Sequence, residues 1–262
     1  MRVGLASLDQ QWEDKQRNFE RCSELALGAA AQGCTIVVFP EMTLTGYSMN
    51  VGRTAEPADA SESLQRFGTI AKATGIHNVF GATLTNPGAT RPVNALCHAD
   101  PAGGVRVVYE KIHLFTFAAE DESFQPGRAK GFVETPEGRL AASICYDLRF
   151  PELYAAVAKD SDGAICIANW PNGRVAHWRA LLVARAIENQ MYLIGVNRIG
   201  RDGNGLNYDK SSLVVDPTGV VMQPDRESAE LDVYEVDLEV THRYRAQFPT
   251  VRDKRPTTYG QL

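Results

Sequence analysis

Three polar side chains follow apolar, strand-like runs of the sequence. Glu41 follows the run VVFP, Lys111 follows VRVVYE and Cys145 follows LAASI. A side chain at a strand end is lifted out of the sheet, close to backbone N–H groups that have no partner. A thiol is mostly protonated at neutral pH, so a nucleophilic cysteine needs a base or a cation near it. We therefore predict that the three converge, with Cys145 as nucleophile, Glu41 as general base and Lys111 as partner of the oxyanion.

Each of these residues has a plainer interpretation when it is taken alone. Cys145 could be an inert core thiol, Glu41 a solvated loop acid and Lys111 a surface lysine. His113 and His177 could suggest a Cys/His pair of the thiol-protease kind, but a structural role is the better interpretation of both. Only the joint presence of a carboxylate, an ammonium and a thiol at three separate strand ends supports the catalytic prediction.

The cysteines and histidines suggest neither a disulfide framework nor a metal site. The five cysteines are widely spaced and form no CxxC pair. No group of His, Cys and Asp residues has the spacing of metal ligands. We predict no metal and no cofactor, and we expect most of the cysteines to be buried thiols.

Length and charge limit the remaining function classes. The 262 residues, 44% of them hydrophobic, suffice for one α/β domain over residues 1–262. A net charge of -5 and scattered Lys and Arg residues argue against nucleic acid as a partner. No apolar run reaches the roughly 18 residues of a membrane span, and the start MRVGLASLDQ is typical of an opening strand rather than a signal peptide. We expect a cytoplasmic protein with a small-molecule partner.

Short apolar runs alternate with helical patterns along the chain, which favours an α/β fold whose sheets are covered by helices. The predicted helices contain residues 19–29 and 61–73, and two more begin near Pro151 and Ala176. The predicted strands cover residues 35–39, 78–84, 95–98, 105–110, 140–145, 164–168, 192–197 and 211–215. Residues 241–262 show little apolar periodicity and are predicted to form a C-terminal arm. Its basic residues are Arg243, Arg245, Arg252, Lys254 and Arg255.

Three segments resemble the signature blocks of the nitrilase superfamily of carbon–nitrogen hydrolases. They are FPEM around Glu41, YEKIHLF around Lys111 and ICYDLRFPE around Cys145. The blocks occur in the order of the family, and the resemblance covers nearly the whole chain. It implies an α-β-β-α sandwich of two mixed sheets covered by helices. It also implies a homodimer that joins through helices near the active site.

The resemblance implies a fourth catalytic residue, a second glutamate seven positions before the glycine of a Phe-x-Pro-Gly element. That element is FQPG at residues 124–127, so the position falls on Glu120 rather than on Glu122. Glu120 would hydrogen-bond Lys111, although an acidic helical face would look similar. For the oxyanion, the backbone N–H of Tyr146 is the second predicted donor.

Further segments are similar to the omega-amidase branch of this superfamily. They include ANWP at residues 168–171, ARAIEN at 184–189 and NRIG at 197–200. This similarity implies hydrolysis of the terminal amide of short dicarboxylic monoamides such as 2-oxoglutaramate and succinamate. Their carboxylate requires a cation near the nucleophile, for which Arg149 is the first candidate, and Trp170 and Tyr47 are proposed pocket walls. A structural ion pair for Arg149 and core packing for the two aromatic residues are equally open.

Rival functions share the predicted residues. A nitrilase acting on a C≡N bond or a carbamoylase cleaving a ureido group would also use Glu41, Lys111 and Cys145. A catalytically silent scaffold of the same fold would be expected to lack one of the three, and none is missing here. The sequence therefore favours an enzyme without separating its possible substrates.

Overall fold

The chain folds into two large β-sheets with covering helices. A computed structural model describes residues 1–259 and residue 261, so residues 260 and 262 of the predicted arm lie outside the described residues. The strands are β1 (Arg2–Ala6), β2 (Ile36–Val38), β3 (Glu56–Pro57), β4 (His77–Thr85), β5 (Val93–Ala99), β6 (Val105–Glu110), β7 (Phe132–Thr135), β8 (Gly138–Ile144), β9 (Gly163–Ala168), β10 (Tyr192–Asn197), β11 (Gly200–Arg201), β12 (Asn207–Tyr208), β13 (Leu213–Val215) and β14 (Leu231–Glu235). The helices are α1 (Lys15–Ala31), α2 (Val51–Thr54), α3 (Glu62–Thr74), α4 (Glu120–Ser123), α5 (Pro151–Val157), α6 (Val175–Asn189), α7 (Glu239–Gln247), α8 (Thr250–Asp253) and α9 (Pro256–Tyr259).

Both large sheets are mixed. The first has the strand order β14-β1-β2-β4-β5-β6, and the short β3 pairs with β4. Within it β1, β2 and β4 are parallel, whereas β14, β5 and β6 each run antiparallel to a neighbour. The second sheet has the order β13-β10-β9-β8-β7, with β8, β9 and β10 parallel. Parallel strands of this kind need helices on their faces.

The two sheets pack face to face. Along β2, Ile36 and Val38 lie in the core shared with the second sheet, whereas Val37 lies in a separate core on the opposite face. Helices α1 and α3 cover that opposite face, and α5 and α6 cover the outer face of the second sheet. The predicted α-β-β-α sandwich is therefore confirmed.

Local sequence explains where several helices begin and end. At the start of α3 the Ser61 hydroxyl accepts a hydrogen bond from the N–H of Leu64 at 3.2 Å, and Gly75, with a φ of +71°, ends the helix. Pro151 occupies the first turn of α5, where its missing N–H has no intrahelical partner to lose. The predicted helices at these positions are confirmed. No helix in the described part of the chain combines the length and apolar character that a bilayer crossing needs.

The sequence patterns predict neither β7 nor β14. Strand β14 pairs antiparallel with β1, from Arg2 opposite Glu235 to Ala6 opposite Leu231, and forms the edge of the first sheet. The segment that follows it packs on the body of the same chain. Arg245 of α7 donates to backbone carbonyl oxygens at 3.0–3.1 Å. The acceptors are Ser161, Asn189 and Gln190.

Four strand ends bring the candidate residues together. Strands β2 and β6 run in the same direction, because β5 is antiparallel to both β4 and β6 and β4 is parallel to β2. Glu41 and Lys111 therefore follow strand ends that lie at the same end of the first sheet. Strands β8 and β9 are parallel neighbours, so Cys145 and Asn169 follow adjacent strand ends of the second sheet. The Asn169 N–H donates to Glu41 Oε2 at 3.0 Å, and this hydrogen bond connects the strand ends of the two sheets.

Candidate active site

One lysine and two glutamates form the active-site ion cluster (Glu41, Lys111 and Glu120). The Lys111 Nζ atom lies 2.9 Å from Glu41 Oε1 and 3.0 and 2.9 Å from the two carboxylate oxygens of Glu120. All three side chains are fully buried. Tyr47 borders the cluster: its hydroxyl donates to Glu120 Oε2 at 3.1 Å, and its ring centroid lies 5.5 Å from Lys111 Nζ.

The charges of this cluster do not cancel. Burial by itself lowers the pKa of Lys111, but attraction to Glu120 and Glu41 outweighs burial and holds the pKa well above its usual value. The lysine therefore stays an ammonium. One ammonium lies between two carboxylates, so the formal charge of the cluster is negative, which suits it to accept a proton.

Cys145 lies beside the cluster and lines a cavity. Its Sγ atom is 3.9 Å from the carbonyl oxygen of Asn169, the residue whose backbone N–H binds Glu41. Burial and then the charge of Glu41 raise the pKa of the Cys145 thiol well above its usual value, and the ammonium of Lys111 offsets only part of this. The thiol is therefore protonated at neutral pH, and its attack on a substrate needs a base that removes the proton.

The backbone is left-handed at or next to three residues of the site. The φ angle is +45° at Met42, which follows Glu41, +55° at Ala119, which precedes Glu120, and +48° at Cys145 itself. Residues other than glycine rarely adopt this conformation, which costs about 1–3 kcal/mol at each position. Such strain persists only where the surrounding structure fixes it, and it is typical of functional sites.

Gly81 lets the chain around Glu41 approach the first sheet closely. A Cβ atom at this position of β4 would lie 2.3 Å from the Met42 nitrogen and 2.9 Å from the Glu41 carbonyl carbon. The Thr43 N–H donates to the Gly81 carbonyl at 3.0 Å, and the Gly81 N–H donates to Thr43 Oγ1 at 2.8 Å. Any side chain at Gly81 would therefore displace the loop that carries the carboxylate.

Asp147 fixes the turn that carries Cys145. Its carboxylate accepts the Ile144 N–H at 3.0 Å and the Tyr109 hydroxyl at 2.8 Å. It also accepts the His113 backbone N–H at 3.0 Å and lies 2.8 Å from Nδ1 of the same histidine. The loop that contains His113 is thus tied to the turn at Cys145, which gives this histidine a structural role.

The cavity that Cys145 lines has a volume of about 340 Å³. Two arginines lie in its walls, and none of the described lining residues is acidic. The guanidinium carbon of Arg149 lies 4.8 Å from the Trp170 ring centroid, and that of Arg174 lies 5.5 Å from the Phe115 ring centroid. The cavity is therefore positively charged and aromatic.

The other residues predicted from the sequence also lie here. Tyr47, Trp170 and Arg149 line the cavity together with Cys145. Tyr146 lines it too and is the second residue of a short 3₁₀ turn that begins at Cys145. The first N–H groups of such a turn have no carbonyl partner within it, so the Tyr146 N–H is suited to bind an oxyanion.

Glu120, and not Glu122, enters the ion cluster. Glu120 is fully buried at the start of α4, whereas Glu122 is exposed. Besides its contacts with Lys111, Glu120 Oε2 accepts the N–H of Phe115 at 2.7 Å. The spacing from the Phe-x-Pro-Gly element therefore selects the carboxylate that points inward.

Three residues of the site are absent from the sequence predictions. Asn94 on β5 donates from Nδ2 to Glu41 and Glu120 at 2.8 and 2.9 Å. Asn169 donates from Nδ2 to the Glu41 carbonyl at 2.7 Å, and Arg174 lies in the cavity wall. Asn169 lies in the ANWP segment, whose similarity to the omega-amidase branch is a signal that points to this residue. No local pattern distinguishes Asn94 or Arg174.

Comparison with known proteins agrees with this geometry. The family model described as carbon–nitrogen hydrolase matches residues 2–246. The chain is 34% identical over 245 residues to the omega-amidase YafV of Yersinia enterocolitica, with 92% of each chain covered. It is 29% identical over 239 residues to the 2-oxoglutaramate amidase of Bacillus subtilis, with 90% of this chain and 91% of that protein covered.

A solved structure shows the same fold. It is that of a carbon–nitrogen hydrolase superfamily protein from Xanthomonas campestris with an arsenic adduct in its active site. The two chains superpose with a TM-score of 0.89 at 30% sequence identity, and the match covers 97% of each. Family model, relatives and fold agree: this chain belongs to the carbon–nitrogen hydrolases of the nitrilase superfamily and resembles their omega-amidase branch.

Proposed function

We propose that the protein hydrolyses the terminal amide of short dicarboxylic monoamides, such as succinamate or 2-oxoglutaramate, to the acid and ammonia. The cavity carries this proposal, because a thiol lines it beside a buried carboxylate–ammonium cluster and two arginines lie in its walls. The thiol and its neighbours suit acyl transfer, and the arginines suit a carboxylate at the far end of the substrate. Relatives named omega-amidase and 2-oxoglutaramate amidase support this substrate class.

Acylation begins when Cys145 Sγ attacks the amide carbon. Glu41 takes the thiol proton as the S–C bond forms, a transfer that the raised pKa of the Cys145 thiol makes necessary. The Lys111 ammonium and the Tyr146 backbone N–H bind the oxyanion of the tetrahedral intermediate. Glu41 then gives the proton to the amide nitrogen, the C–N bond breaks, and ammonia leaves a thioester on Cys145.

Deacylation uses the same groups with water as nucleophile. Glu41 takes a proton from water as the water oxygen attacks the thioester carbon. The C–S bond breaks, the proton passes from Glu41 to the sulfur, and the dicarboxylic acid leaves. Throughout both steps Glu120 holds Lys111 charged and in place through two contacts at 2.9 and 3.0 Å.

Arg149 and Arg174 are the proposed partners of the substrate carboxylate. Among the described residues, no ion pair joins either of them to a carboxylate. The structural ion pair that the sequence left open for Arg149 is thus not formed, and its side chain instead lies 3.4 Å from His177 Nδ1. A guanidinium without an acidic partner in a cavity suits a bidentate interaction with an incoming carboxylate.

An assay of ammonia release tests the proposed function. The substrates are succinamate, its neutral counterpart butyramide, a simple nitrile and an N-carbamoyl amino acid, each at the same concentration. We expect kcat/KM for succinamate to exceed that for butyramide by about 10- to 100-fold, the range of one hydrogen-bonded charge interaction. Activity confined to the nitrile or to the carbamoyl compound would overturn the proposal.

The substitution Arg149→Met tests how the substrate is selected. We expect it to raise the KM for succinamate by about tenfold and to leave the kinetics on butyramide unchanged, because butyramide has no carboxylate. Arg139→Met is the matched control, since the Arg139 guanidinium also lies over an aromatic ring, 3.7 Å from the Phe132 centroid, but does not line the cavity. Equal losses on both substrates would argue that Arg149 only shapes the cavity.

The protein is also proposed to form a homodimer. Helix α6 and the segment after α7 expose large apolar side chains, with Ile187 at 51% and Phe248 at 57%. Covering such side chains with a second copy would remove apolar surface from water. Light scattering after size exclusion, over a hundredfold range of protein concentration, would contradict the proposal if it showed a monomer throughout.

A further inference from the structure

Asn94 contacts every charged member of the active-site ion cluster. Its Nδ2 group donates to Glu41 Oε1 at 2.8 Å and to Glu120 Oε1 at 2.9 Å. Its backbone carbonyl accepts the backbone N–H of Lys111 at 2.8 Å. The residue is fully buried and lies near the start of β5. The neutral side chain of Asn94 therefore links the two glutamates, and its backbone holds the chain at Lys111.

The orientation of this amide is fixed by its neighbours. An ionised carboxylate can only accept hydrogen bonds, so the NH₂ end of Asn94 faces Glu41 and Glu120 and its oxygen faces away. The two N–H bonds of one planar group then point to one oxygen of each glutamate. Lys111 Nζ contacts the same two oxygens, at 2.9 and 3.0 Å. The glutamates are thus bridged twice, once by an ammonium and once by an amide.

A neutral donor suits this position better than the alternatives. A second cation would cancel the excess negative charge of the cluster and make Glu41 a weaker proton acceptor. An apolar side chain would leave two buried carboxylate oxygens with fewer donors, which is costly in a buried site. The amide stabilises both carboxylates without changing the net charge.

We propose that Asn94 is a positioning residue, which holds Glu41 in the orientation needed to take the proton of Cys145 while Glu120 shares the ammonium. Both N–H bonds of the Asn94 amide are used by Glu41 and Glu120, so Asn94 acts through Glu41 and not on the substrate. The inference rests on the proposed function in that its kinetic readout is amide hydrolysis. A second readout, the reactivity of the thiol, does not depend on the substrate.

The test compares Asn94→Ala and Asn94→Asp with the matched control Asn78→Ala. Asn78 is also a fully buried asparagine, on neighbouring β4, and its Nδ2 donates to the Ile76 carbonyl at 3.0 Å. For Asn94→Ala we expect kcat on succinamate to fall about 10- to 100-fold while KM stays within about threefold. Asn94→Asp keeps the volume but adds a third carboxylate, so its kcat should fall at least as far. Asn78→Ala should keep its kcat within about threefold of wild type, although both alanine variants lower Tm.

The second readout is the rate at which iodoacetamide alkylates Cys145, followed by mass spectrometry. We expect this rate to fall about tenfold in Asn94→Ala and to stay unchanged in Asn78→Ala. Only Asn94→Ala removes a hydrogen bond to Glu41, the base that takes the thiol proton. If wild type is alkylated but releases no ammonia from succinamate, the proposed function fails while alkylation still decides the role of Asn94. Should Asn94→Ala fail to fold, the isosteric Asn94→Asp replaces it. Variants at Asn94 with the kcat and alkylation rate of Asn78→Ala, or with a change in KM alone, would overturn the proposal.

Discussion

The molecule contains two groupings of carboxylate and lysine that are built in opposite ways. The helix-end cluster consists of Lys15, Glu56, Ser61 and Ser63. Its one carboxylate, that of Glu56, accepts hydrogen bonds from the Lys15 ammonium at 2.7 Å and from the two serine hydroxyls at 2.5 and 2.7 Å. The Ser63 N–H, in the first turn of α3, adds a fourth donor at 2.9 Å. In the active-site ion cluster two carboxylates share the single ammonium of Lys111. The first cluster has one ammonium for its one carboxylate, whereas the second has one ammonium for two carboxylates.

This difference separates a cluster that stabilises the fold from one suited to chemistry. Burial by itself raises the pKa of Glu56, but the hydrogen bonds of Lys15, Ser61 and Ser63 outweigh it and lower the pKa to about 2. The positive end of the α3 dipole acts in the same direction. The active-site ion cluster instead lies fully buried next to left-handed backbone and a protonated thiol. The ratio of ammonium groups to carboxylates, more than burial, distinguishes the two.

The largest effect is expected when Lys111 is replaced by methionine, because two buried carboxylates then face each other without a cation. We expect amide hydrolysis to fall to background and the free energy of unfolding to drop by about 3–5 kcal/mol at pH 7. Lys15→Met is the matched variant of the helix-end cluster. Because Lys15 is 30% exposed and Glu56 keeps three donors, its loss should cost only about 1 kcal/mol and leave activity intact. Equal losses in urea unfolding would remove the distinction between the clusters.

Glu41→Gln should come next, because it keeps the shape of the side chain but removes the general base. We expect kcat on succinamate to fall about 10²- to 10⁴-fold. Thermal stability should be kept, since the substitution also removes one of two like charges around Lys111. Glu56→Gln should do the reverse, with unchanged kcat and a lower Tm. Substantial activity in Glu41→Gln would mean that another group takes the thiol proton.

The smallest effect concerns acid stability in the helix-end cluster. The pKa of Glu56 in the folded protein, about 2, lies below its ordinary value of 4.5, so its ionised form stabilises the fold above pH 4.5. This contribution is lost as the pH falls through the folded-state pKa. We expect wild type to exceed Glu56→Gln by about 3 kcal/mol in urea unfolding at pH 7, and the difference to shrink between pH 4.5 and 3. A difference that stays constant with pH would show that Glu56 acts by packing instead.

The sequence predicts Glu41, Lys111 and Cys145 because each has a local signal. Apolar runs mark the strand ends that carry Glu41, Lys111 and Cys145, and the runs themselves are the strands β2, β6 and β8. Glu120 lies in no such run. Its prediction needed the resemblance to a known family, and the structure shows why: a single turn of helix after the left-handed Ala119 directs it inward.

Other parts of the site depend on contacts that the sequence does not display. Asn94 faces Lys111 because β5 and β6 pair, and that pairing includes an irregularity at residues 96 and 97. Arg174 reaches the cavity through a three-residue 3₁₀ turn that precedes α6. Strand β14 does alternate in its sequence LDVYE, but it is short and follows a long irregular stretch, so the sequence does not predict its pairing with β1. Pairing between distant strands, rather than local preference, decides the positions of Asn94 and β14.

The central claim is that the Cys145 thiol is acylated with Glu41 as its base. The most direct measurement is the mass of the protein after acid quenching during turnover of succinamate, with the modified peptide identified. We expect a gain equal to succinamate minus ammonia on the peptide that contains Cys145, strongly reduced in Glu41→Gln and absent in Cys145→Ala. An adduct on a different residue, or hydrolysis by Cys145→Ala at the rate of wild type, would contradict it.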